Sequence, residues 1–394
     1  MSEWKKVKLG EICERVTSGG TPKANVSSYY NPPTIPWLKT KEVNYCRITE
    51  TENYISEEGL KNSSAKIISP NSVIIAMYGQ GDTAGRVAIN KIPLATNQAC
   101  CNLTIDKSKA DYEFIYYQLC TLYDKLVSLK AGAAQPNLNA RIIKNLEIIM
   151  PSLPIQHRIA SILSRYDSLI ENYQKQIKLL EEAAQRLYKE WFVDLHFPGH
   201  ENTKIVDGVP EGWEKKRLID LVDVQYGYAF DGKLFNSSGE GMPILRIRNI
   251  PDGITSDYTT EEAQDCYIVH NGDIVVGMDG IFHINSWSGG DAYLVQRACS
   301  FRPKEECMKG FIFQAIQEPI KFFEKTLVGA TVAHLGKKHI DSIELCIPKN
   351  FELYKPFSKF YNQRQGLLSQ IRLLTEARDR LLPKLMSGEI NVES

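Results

Sequence analysis

Two loops in the first part of the chain carry the side chains best suited to chemistry. The loop Ser18-Gly19-Gly20-Thr21-Pro22-Lys23 brings backbone amides, hydroxyls and a cation together. The loop from Gly79 to Arg86 adds glutamine, aspartate, threonine and arginine side chains to an open glycine backbone. Such groups hydrogen-bond base edges and phosphates in nucleic acids. Polar glycine-rich turns are also common without function, so each loop alone is weak evidence.

Most familiar catalytic motifs are absent from the sequence. It contains no GxxxxGK[ST] phosphate loop, no GxSxG elbow and no HExxH helix. Asn31-Pro32-Pro33-Thr34 is similar to the Asn-Pro-Pro-aromatic motif with which amino-methyltransferases hold a target base, but threonine replaces the aromatic residue. No glycine-rich strand-to-helix turn could hold a methyl donor. The tetrapeptide is therefore interpreted as a proline turn, and the chain is predicted to have no catalytic residue and no cofactor.

The loop positions recur in the second half of the chain with different side chains. Residues 35–41 match residues 242–248, which places Lys39 and Lys41 opposite Arg246 and Arg248. Residues 71–77 match residues 272–278, so the polar loop after Gly79 has its counterpart in residues 279–285. The segment 98–100 lies near 297–299 in the same comparison. A common frame with altered loop tips is expected of two domains that read different sequences.

Long amphipathic helices must connect these loop-bearing parts. Apolar residues follow a 4-3-4-3 spacing from Pro154 to Phe192, interrupted at Gln176, and a similar spacing from Tyr354 to Met386. This spacing predicts coiled-coil packing, in which the first helix is a rod of roughly 55 Å and needs a second helix against its seam. The predicted helix–helix packing residues are Ile159, Ile162, Tyr166, Leu169, Tyr173, Leu180, Leu187, Phe360, Leu367, Ile371, Leu374 and Leu381.

The helices belong to an internal duplication. Residues 177–183 reappear as 371–377, and residues 132–151 match 329–348 at a constant offset. The predicted fold class is α+β, with two similar mixed α/β domains in tandem, each followed by a long helix, and the two helices packed as an antiparallel coiled coil. The predicted boundaries are 1–152 for the first domain, 153–195 for its helix, 196–212 for a linker, 213–350 for the second domain and 351–390 for its helix.

Composition places limits on this interpretation. The 394 residues carry no net charge, but residues 1–150 have 18 basic and 14 acidic residues, and residues 205–350 have 15 and 21. The acidic second segment counts against a polyanion partner held by bulk charge. The nine scattered cysteines contain no CxxC motif, which predicts a reducing cytoplasm and no structural metal. The N-terminal residues have no apolar core after their charges and are not expected to form a signal peptide, and no apolar run reaches the ~20 residues that a membrane span needs.

An ordered set of motifs along nearly the whole chain resembles the specificity subunit of type I restriction–modification systems. The set includes SGGTP (18–22), IPW (35–37), ATNQACC (95–101), LPIQHRI (153–159), LYKEWF (187–192), VPEGW (209–213) and LLPKLMSGEI (381–390). Two departures are the acidic second segment and a weak SGGTP counterpart there, QYGYAF (225–230).

The resemblance implies a protein without catalysis of its own. Each globular domain would read one half of a split double-stranded DNA site, and the helices would set the unread spacer. Two modification subunits, which methylate adenine, would dock on the helices, and ATP-dependent restriction subunits would join them. The candidate DNA-binding residues are Ser18, Gly19, Thr21, Lys23, Lys39, Lys41, Gln80, Asp82, Thr83, Arg86, Asn97, Gln98, Tyr226, Tyr228, Arg246, Arg248, Asn249, Asp279, His283 and Arg297.

A protein of another class remains the alternative: an adaptor whose coiled coil joins two protein-binding modules without contacting DNA. The zero net charge favours the adaptor, whereas the loop chemistry and the ordered motifs favour DNA recognition. Salt dependence separates the two, because phosphate contacts make affinity fall steeply with salt.

Overall fold

The computed structural model describes residues 4–131, 137–327 and 333–392. The chain divides into two compact units, and both boundaries fall inside long helices. Unit 1 comprises Met1–Ser168 and Leu374–Ser394, and unit 2 comprises Leu169–Leu373.

Unit 1 contains two small sheets and a strand pair. Its strands are β1 (Lys5–Lys8), β2 (Cys13–Ser18), β3 (Ile35–Leu38), β4 (Cys46–Ile48), β5 (Tyr54–Ile55), β6 (Ile67–Ile68), β7 (Val73–Ala76), β8 (Val87–Asn90), β9 (Leu94–Thr96), β10 (Cys100–Ile105) and β11 (Glu147–Met150). Its helices are α1 (Glu57–Lys61), α2 (Tyr112–Cys120), α3 (Tyr123–Ala131) and α4 (Ala140–Lys144), followed by the long helix α5 (Leu153–Tyr188), which continues into unit 2. The sheet orders are β2-β10-β7-β8-β4 and β5-β3-β9-β6, and β1 pairs with β11.

Unit 2 repeats this topology. Its strands are β12 (Ile205–Val206), β13 (Val209–Pro210), β14 (Trp213–Arg217), β15 (Val222–Tyr226), β16 (Phe235–Asn236), β17 (Met242–Leu245), β18 (Tyr258–Thr259), β19 (Ile268–Val269), β20 (Ile274–Gly277), β21 (Ile284–Ser286), β22 (Ala292–Leu294), β23 (Ala298–Pro303) and β24 (Glu344–Pro348). Its helices are α6 (Leu218–Leu221), α7 (Lys309–Ala315), α8 (Gln317–Thr326), α9 (Lys337–Asp341) and α10 (Lys355–Met386), whose end lies in unit 1.

The strand pairings confirm the predicted duplication. The order β15-β23-β20-β21 matches β2-β10-β7-β8, the order β18-β17-β22-β19 matches β5-β3-β9-β6, and the pair β14-β24 matches β1-β11. Among the described strands, β4 at a sheet edge of unit 1 and β16 at a sheet edge of unit 2 have no counterpart in the other unit. Even the parallel pairing of β3 with β9 recurs between β17 and β22. In both units the strand before the polar turn, VIIA in β7 and IVVG in β20, is buried at every residue. Its continuous apolar run follows from having both faces covered.

Each unit packs one segment of each long helix against its globular part. In unit 1, Ile159 and Leu163 of α5 join a core with Phe114 of α2 and with Leu385 and Met386 of α10. The helix segments run antiparallel, since Arg158 donates to the Val392 carbonyl (2.8 Å) and Asp167 pairs with Arg378 (2.7 Å).

The corresponding segments in unit 2 are also antiparallel. Glu181 of α5 pairs with Arg364 of α10 at 2.6 Å. Further along α5, the ring of Tyr188 meets that of Phe357, which is earlier in α10, with centroids 6.3 Å apart. The antiparallel helix pair predicted from the sequence is thus present in each unit.

The most buried positions of α5 differ in part from the predicted seam. The most buried positions include Gln156, Leu163, Ile170, Ile177 and Ala184, which are spaced by seven residues. The predicted residue Leu169 is instead 42% exposed. The reason is that α5 packs on both α10 and the globular part, so the buried stripe is broader than a coiled-coil seam and includes polar residues.

Most other predicted packing residues lie at the edges of this stripe. Ile159 is buried. The remaining residues are half-buried: Ile162, Tyr166, Tyr173, Leu180, Leu187, Phe360, Leu367, Ile371, Leu374 and Leu381.

The start of α5 shows how a polar residue enters the stripe. The Gln156 side chain accepts a hydrogen bond from the Asp111 amide (3.0 Å) and donates to the Pro151 carbonyl (2.9 Å). Because both ends of its amide group are satisfied, burying it costs little. Asp111 in turn caps α2 by accepting from the amides of Glu113 and Phe114. The glutamine therefore ties the long helix to the globular part of unit 1.

Candidate nucleic-acid interface

The glycine loop of unit 1 is held by close backbone packing. The amides of Gly19 and Gly20 donate to the carbonyls of Cys100 (3.2 Å) and Thr96 (2.8 Å). A Cβ atom on Gly19 would lie 2.2 Å from the Thr96 oxygen, and one on Gly20 would lie 2.1 Å from the Ala65 nitrogen. Both glycines are therefore required by space, and they fix where the exposed neighbours of the loop point.

The exposed residues of this loop are Ser18, Thr21 and Lys23. The Thr21 hydroxyl donates to the side chain of Gln98, which is also exposed, so the loop and the segment after β9 present polar groups together. Asn97 has a structural role, because its side-chain oxygen accepts from the Ala99 amide (3.2 Å) in the turn into β10.

The turn between β7 and β8 forms a second group of predicted residues. Arg86 pairs with Asp82 at 2.7 Å and donates to the Asn44 side chain at 3.0 Å. The hydrogen bond from Arg86 lowers the pKa of the Asp82 carboxyl below its ordinary value. The Thr83 hydroxyl donates to the Gln80 carbonyl (2.7 Å), while the Gln80 side chain is exposed. The turn thus presents an oriented arginine beside an exposed glutamine.

The lysines after β3 differ from each other. Lys39 donates to Asn53 (2.9 Å) and lies over the Trp37 ring at 5.1 Å, and it is half-buried. Lys41 is 82% exposed and lies 3.5 Å from Glu52. Of the two, Lys41 has the greater freedom to contact a phosphate.

The weak SGGTP counterpart in unit 2 has the same backbone geometry. The Gly227 amide donates to the Ala298 carbonyl (3.0 Å), and a Cβ atom on Gly227 would lie 2.1 Å from the Val295 oxygen. Tyr228 is exposed and its ring contacts Phe230 and Tyr267, with centroids 4.8 and 5.1 Å away. Tyr226, at the end of β15, is half-buried. The two loops therefore share a role in the frame, although their sequences differ.

The polar segment after β17 mixes exposed and structural side chains. Arg248 is 59% exposed and forms a forked pair with Asp257, with its shorter contacts at 2.6 Å. Arg246 lies over the Phe235 ring at 5.4 Å. Asn249 accepts from the Arg246 amide (2.9 Å) and thereby closes a short helical turn. Among these residues, Arg248 is the most available to a ligand.

The turn after β20 brings together two predicted residues and one that sequence reasoning missed. Asp279 accepts from Arg297 and from His334, each at 2.6 Å. His283 lies on the far arm of the same turn and is half-buried. His334 was missed because no motif marks it. Its position in the segment 329–348, which repeats 132–151, was the available signal.

Backbone hydrogen bonds show that the loops in each unit are neighbours. In unit 1, Met77 donates to the Ala99 carbonyl (2.8 Å), next to the segment that holds Gly19. In unit 2, Met278 donates to the Arg297 carbonyl (2.8 Å), next to the segment that holds Gly227. Each unit therefore has a loop, a segment and a turn at one end of its sheets, with polar side chains on them.

The remaining motifs, cysteines and helices of the described residues add no further candidate site. Asn31-Pro32-Pro33-Thr34 lies in an exposed turn before β3. Cys100 and Cys101 are buried thiols, and burial raises the pKa of Cys101 to about 12. Across residues 4–131, 137–327 and 333–392, no group of three or more histidine, cysteine, aspartate or glutamate side chains is placed to hold a metal ion. Within the same ranges, no helix is both long and apolar enough to span a bilayer.

Comparisons with known proteins agree with this arrangement. The chain is 29% identical to the type I restriction enzyme MjaIX specificity subunit of Methanocaldococcus jannaschii, over 99% of this chain and 94% of that protein. It is 25% identical to the MjaVIII specificity subunit of the same organism, over 100% of this chain and 94% of that protein. The crystal structure of a type I restriction-modification system S subunit from M. genitalium shares the fold, with a TM-score of 0.58, 18% identity and coverage of 98% of this chain and 96% of that chain.

The sequence model of one family matches both repeats. The type I restriction modification DNA specificity domain matches residues 1–182 and again residues 210–372. These two matches contain the loop, segment and turn of each unit as well as much of the long helices. The chain therefore belongs to the family of type I restriction–modification specificity subunits, with two DNA specificity domains in tandem.

Proposed function

We propose that each unit reads one half of a bipartite double-stranded DNA site, and that the chain itself catalyses no reaction. The observation that carries this proposal is that both units have the same arrangement of strands and loops, whereas the exposed side chains on those loops differ. The exposed side chains include Thr21, Gln80 and Gln98 in unit 1, and Tyr228 and Arg297 in unit 2. Side chains of these types distinguish base edges in the major groove. Two units of the same fold with different exposed side chains would recognise two different half-sites.

The candidate DNA-binding residues divide into two groups under this proposal. Those with exposed side chains are proposed to contact DNA directly: Ser18, Thr21, Lys23, Lys41, Gln80, Asp82, Gln98, Tyr228, Arg248 and Arg297. The others support the loops: Gly19, Lys39, Thr83, Arg86, Asn97, Tyr226, Arg246, Asn249, Asp279 and His283 are buried or half-buried. Specific contacts would come from the first group, and the geometry of those contacts from the second.

The long helices are proposed to set the spacer between the half-sites and to dock two modification subunits. In unit 2 they leave apolar side chains in water, with Leu179 64% and Leu373 55% exposed. A groove of about 570 Å³ lies beside them, lined by Leu179, Leu180, Leu367 and Gly366 and by three glutamines. Exposed apolar surface beside polar rims is typical of protein interfaces. ATP-dependent restriction subunits would complete a cytoplasmic assembly.

Co-expression with the modification subunit, followed by mapping of methylated adenines on host DNA, tests this function. The expected result is a split motif with a fixed unread gap. DNA affinity of the purified complex should also fall steeply with salt, because phosphate contacts release counterions. A stable complex that binds DNA with no salt dependence, or that leaves host DNA unmethylated, would contradict the proposal. Failure to form any complex would favour the adaptor instead.

A further inference from the structure

Acidic residues outnumber basic ones in the globular part of unit 2. Residues 205–350 contain 21 acidic and 15 basic residues. Several arginines there each pair with one carboxylate, as Arg217 does with Asp220 at 3.0 Å and Arg302 with Asp273 at 3.1 Å. Asp279 differs from these carboxylates because it accepts hydrogen bonds from two side chains at once.

The geometry of Asp279 orients both partners toward solvent. Its Oδ2 atom accepts from Arg297 Nη1 and its Oδ1 atom contacts His334 Nδ1, each at 2.6 Å. The Asp279 side chain is 16% exposed, whereas those of Arg297 and His334 are 68% and 59% exposed. An ionised carboxylate only accepts hydrogen bonds, so Nδ1 of His334 must be the donor. These contacts use only Nη1 of Arg297 and Nδ1 of His334 and leave the remaining guanidinium nitrogens and the imidazole Nε2 free of Asp279.

The backbone fixes the three residues as firmly as the carboxylate does. Met278 donates to the Arg297 carbonyl (2.8 Å), Leu335 donates to the Met278 carbonyl (2.7 Å), and Gly280 donates to the Ala333 carbonyl (2.9 Å). Arg297 itself has φ 72°, a left-handed conformation that is uncommon outside glycine. The cluster is therefore built from three separate segments that meet at the end of β20.

Unit 1 has the same three segments but different side chains on them. Met77 donates to the Ala99 carbonyl (2.8 Å), and Leu138 donates to the Met77 carbonyl (3.2 Å). In this register Ala99 occupies the position of Arg297, and Asn137 occupies the position of His334. Unit 1 has an alanine and an asparagine at these two positions, whereas unit 2 has an arginine and a histidine, which is the difference expected of positions that determine specificity.

We propose that Arg297 and His334, oriented by Asp279, read a guanine in the half-site bound by unit 2. This inference rests on the proposed function. An arginine fork fits the O6 and N7 acceptors of guanine, which is the commonest specific contact in the major groove. The carboxylate orients the guanidinium group before DNA binds, so little side-chain conformational entropy is lost on binding. His334 contacts the same carboxylate through Nδ1, so its Nε2 can contact the neighbouring base or phosphate.

The test uses the complex of the full chain with its modification subunits. Wild type, R297Q, R297K and D279N are compared for their methylated motifs and for binding to duplexes that carry guanine or adenine at each position of one half-site. R217Q removes an exposed arginine from another aspartate pair in unit 2 and serves as the matched control. Thermal unfolding of each complex monitors the fold.

We expect R297Q and R297K to lower the preference for guanine at one position of one half-site by roughly tenfold or more, and to leave the other half-site unchanged. D279N should do the same while keeping or raising affinity for unrelated DNA, because it removes a negative charge. R217Q should retain the wild-type preference.

Three results would overturn the inference. One is an unchanged motif in R297Q; another is a uniform loss of affinity without loss of discrimination, which would indicate a phosphate contact. The third is wild-type behaviour of R297K, because lysine keeps the charge but lacks the fork. A wild-type complex that methylates no bipartite motif would instead refute the proposed function, which keeps the two failures distinguishable.

Discussion

Asp167 is a charged residue of α5 that lies almost fully inside unit 1. Its side chain is 8% exposed, and its carboxylate pairs with Arg47 at 3.0 Å and Arg378 at 2.7 Å. The Tyr117 hydroxyl donates to the same carboxylate. Arg47 comes from β4, Tyr117 from α2 and Arg378 from α10, so one carboxylate connects the globular part with both helix segments. Removing it would leave two arginines without their shared counter-charge.

We expect D167N to lower the free energy of unfolding of unit 1 by about 3–5 kcal/mol, the usual cost of breaking a buried ion pair on one side. D379N is the control, because Asp379 pairs with the same Arg378 at 2.8 Å but is 57% exposed. Its effect should stay below about 1 kcal/mol. Urea unfolding followed by intrinsic fluorescence measures both. Equal effects of the two variants would show that the buried cluster does not stabilise the unit.

At the scale of elements, the sequence predicts the existence of the helices well and their buried face poorly. A 4-3-4-3 pattern identifies α5 and its partner, because apolar spacing reports helical periodicity directly. The pattern cannot tell which side chains meet a globular part as well as a helix, so it places Leu169 inside and omits Leu163, which is fully buried. It also has no means of recognising Asp167 or Gln156 as interior residues, since their burial depends on partners far along the chain.

The correction to the seam can be measured with two leucines on the same helix. L163A should lower the free energy of unfolding by about 2–5 kcal/mol, because it leaves a cavity in the core of unit 1. L169A should lower it by about 1 kcal/mol or less, because Leu169 is already 42% exposed in the free chain. Thermal and urea unfolding of the two variants provide the comparison. A larger loss for L169A would restore the seam predicted from the sequence.

The candidate site was predictable only in part, for a related reason. The recurrence of loops at matching places identified Asp279 and Arg297 as neighbours in function, and the structure joins them at 2.6 Å. It did not identify His334, because that residue reaches the site through pairing of residues 333–335 with the turn after β20. Contacts between segments more than fifty residues apart leave no periodic signal in a single sequence.

At the scale of the whole molecule, each globular part enters and leaves its unit at one place. In unit 1, Lys5 at the start of β1 lies opposite Met150 at the end of β11. In unit 2, Trp213 at the start of β14 lies opposite Pro348 at the end of β24. Segments with adjacent ends can be exchanged with little disturbance to the rest of a protein, because the host chain only has to bridge a short distance.

We therefore expect that replacing residues 213–348 with the matching segment of another family member changes one half-site and preserves the other half-site. The cut points lie on a strand pair that is joined by backbone hydrogen bonds, and both sheets of unit 2 lie inside the exchanged segment. An exchange that ends at residue 260 is the control. This shorter exchange replaces β17 but keeps the original β22, so two paired strands come from different proteins. The resulting chain should be unstable. Mapping of methylated adenines in cells that also express the modification subunit reads the outcome. A change in both half-sites after the 213–348 exchange would show that the two units do not read DNA independently.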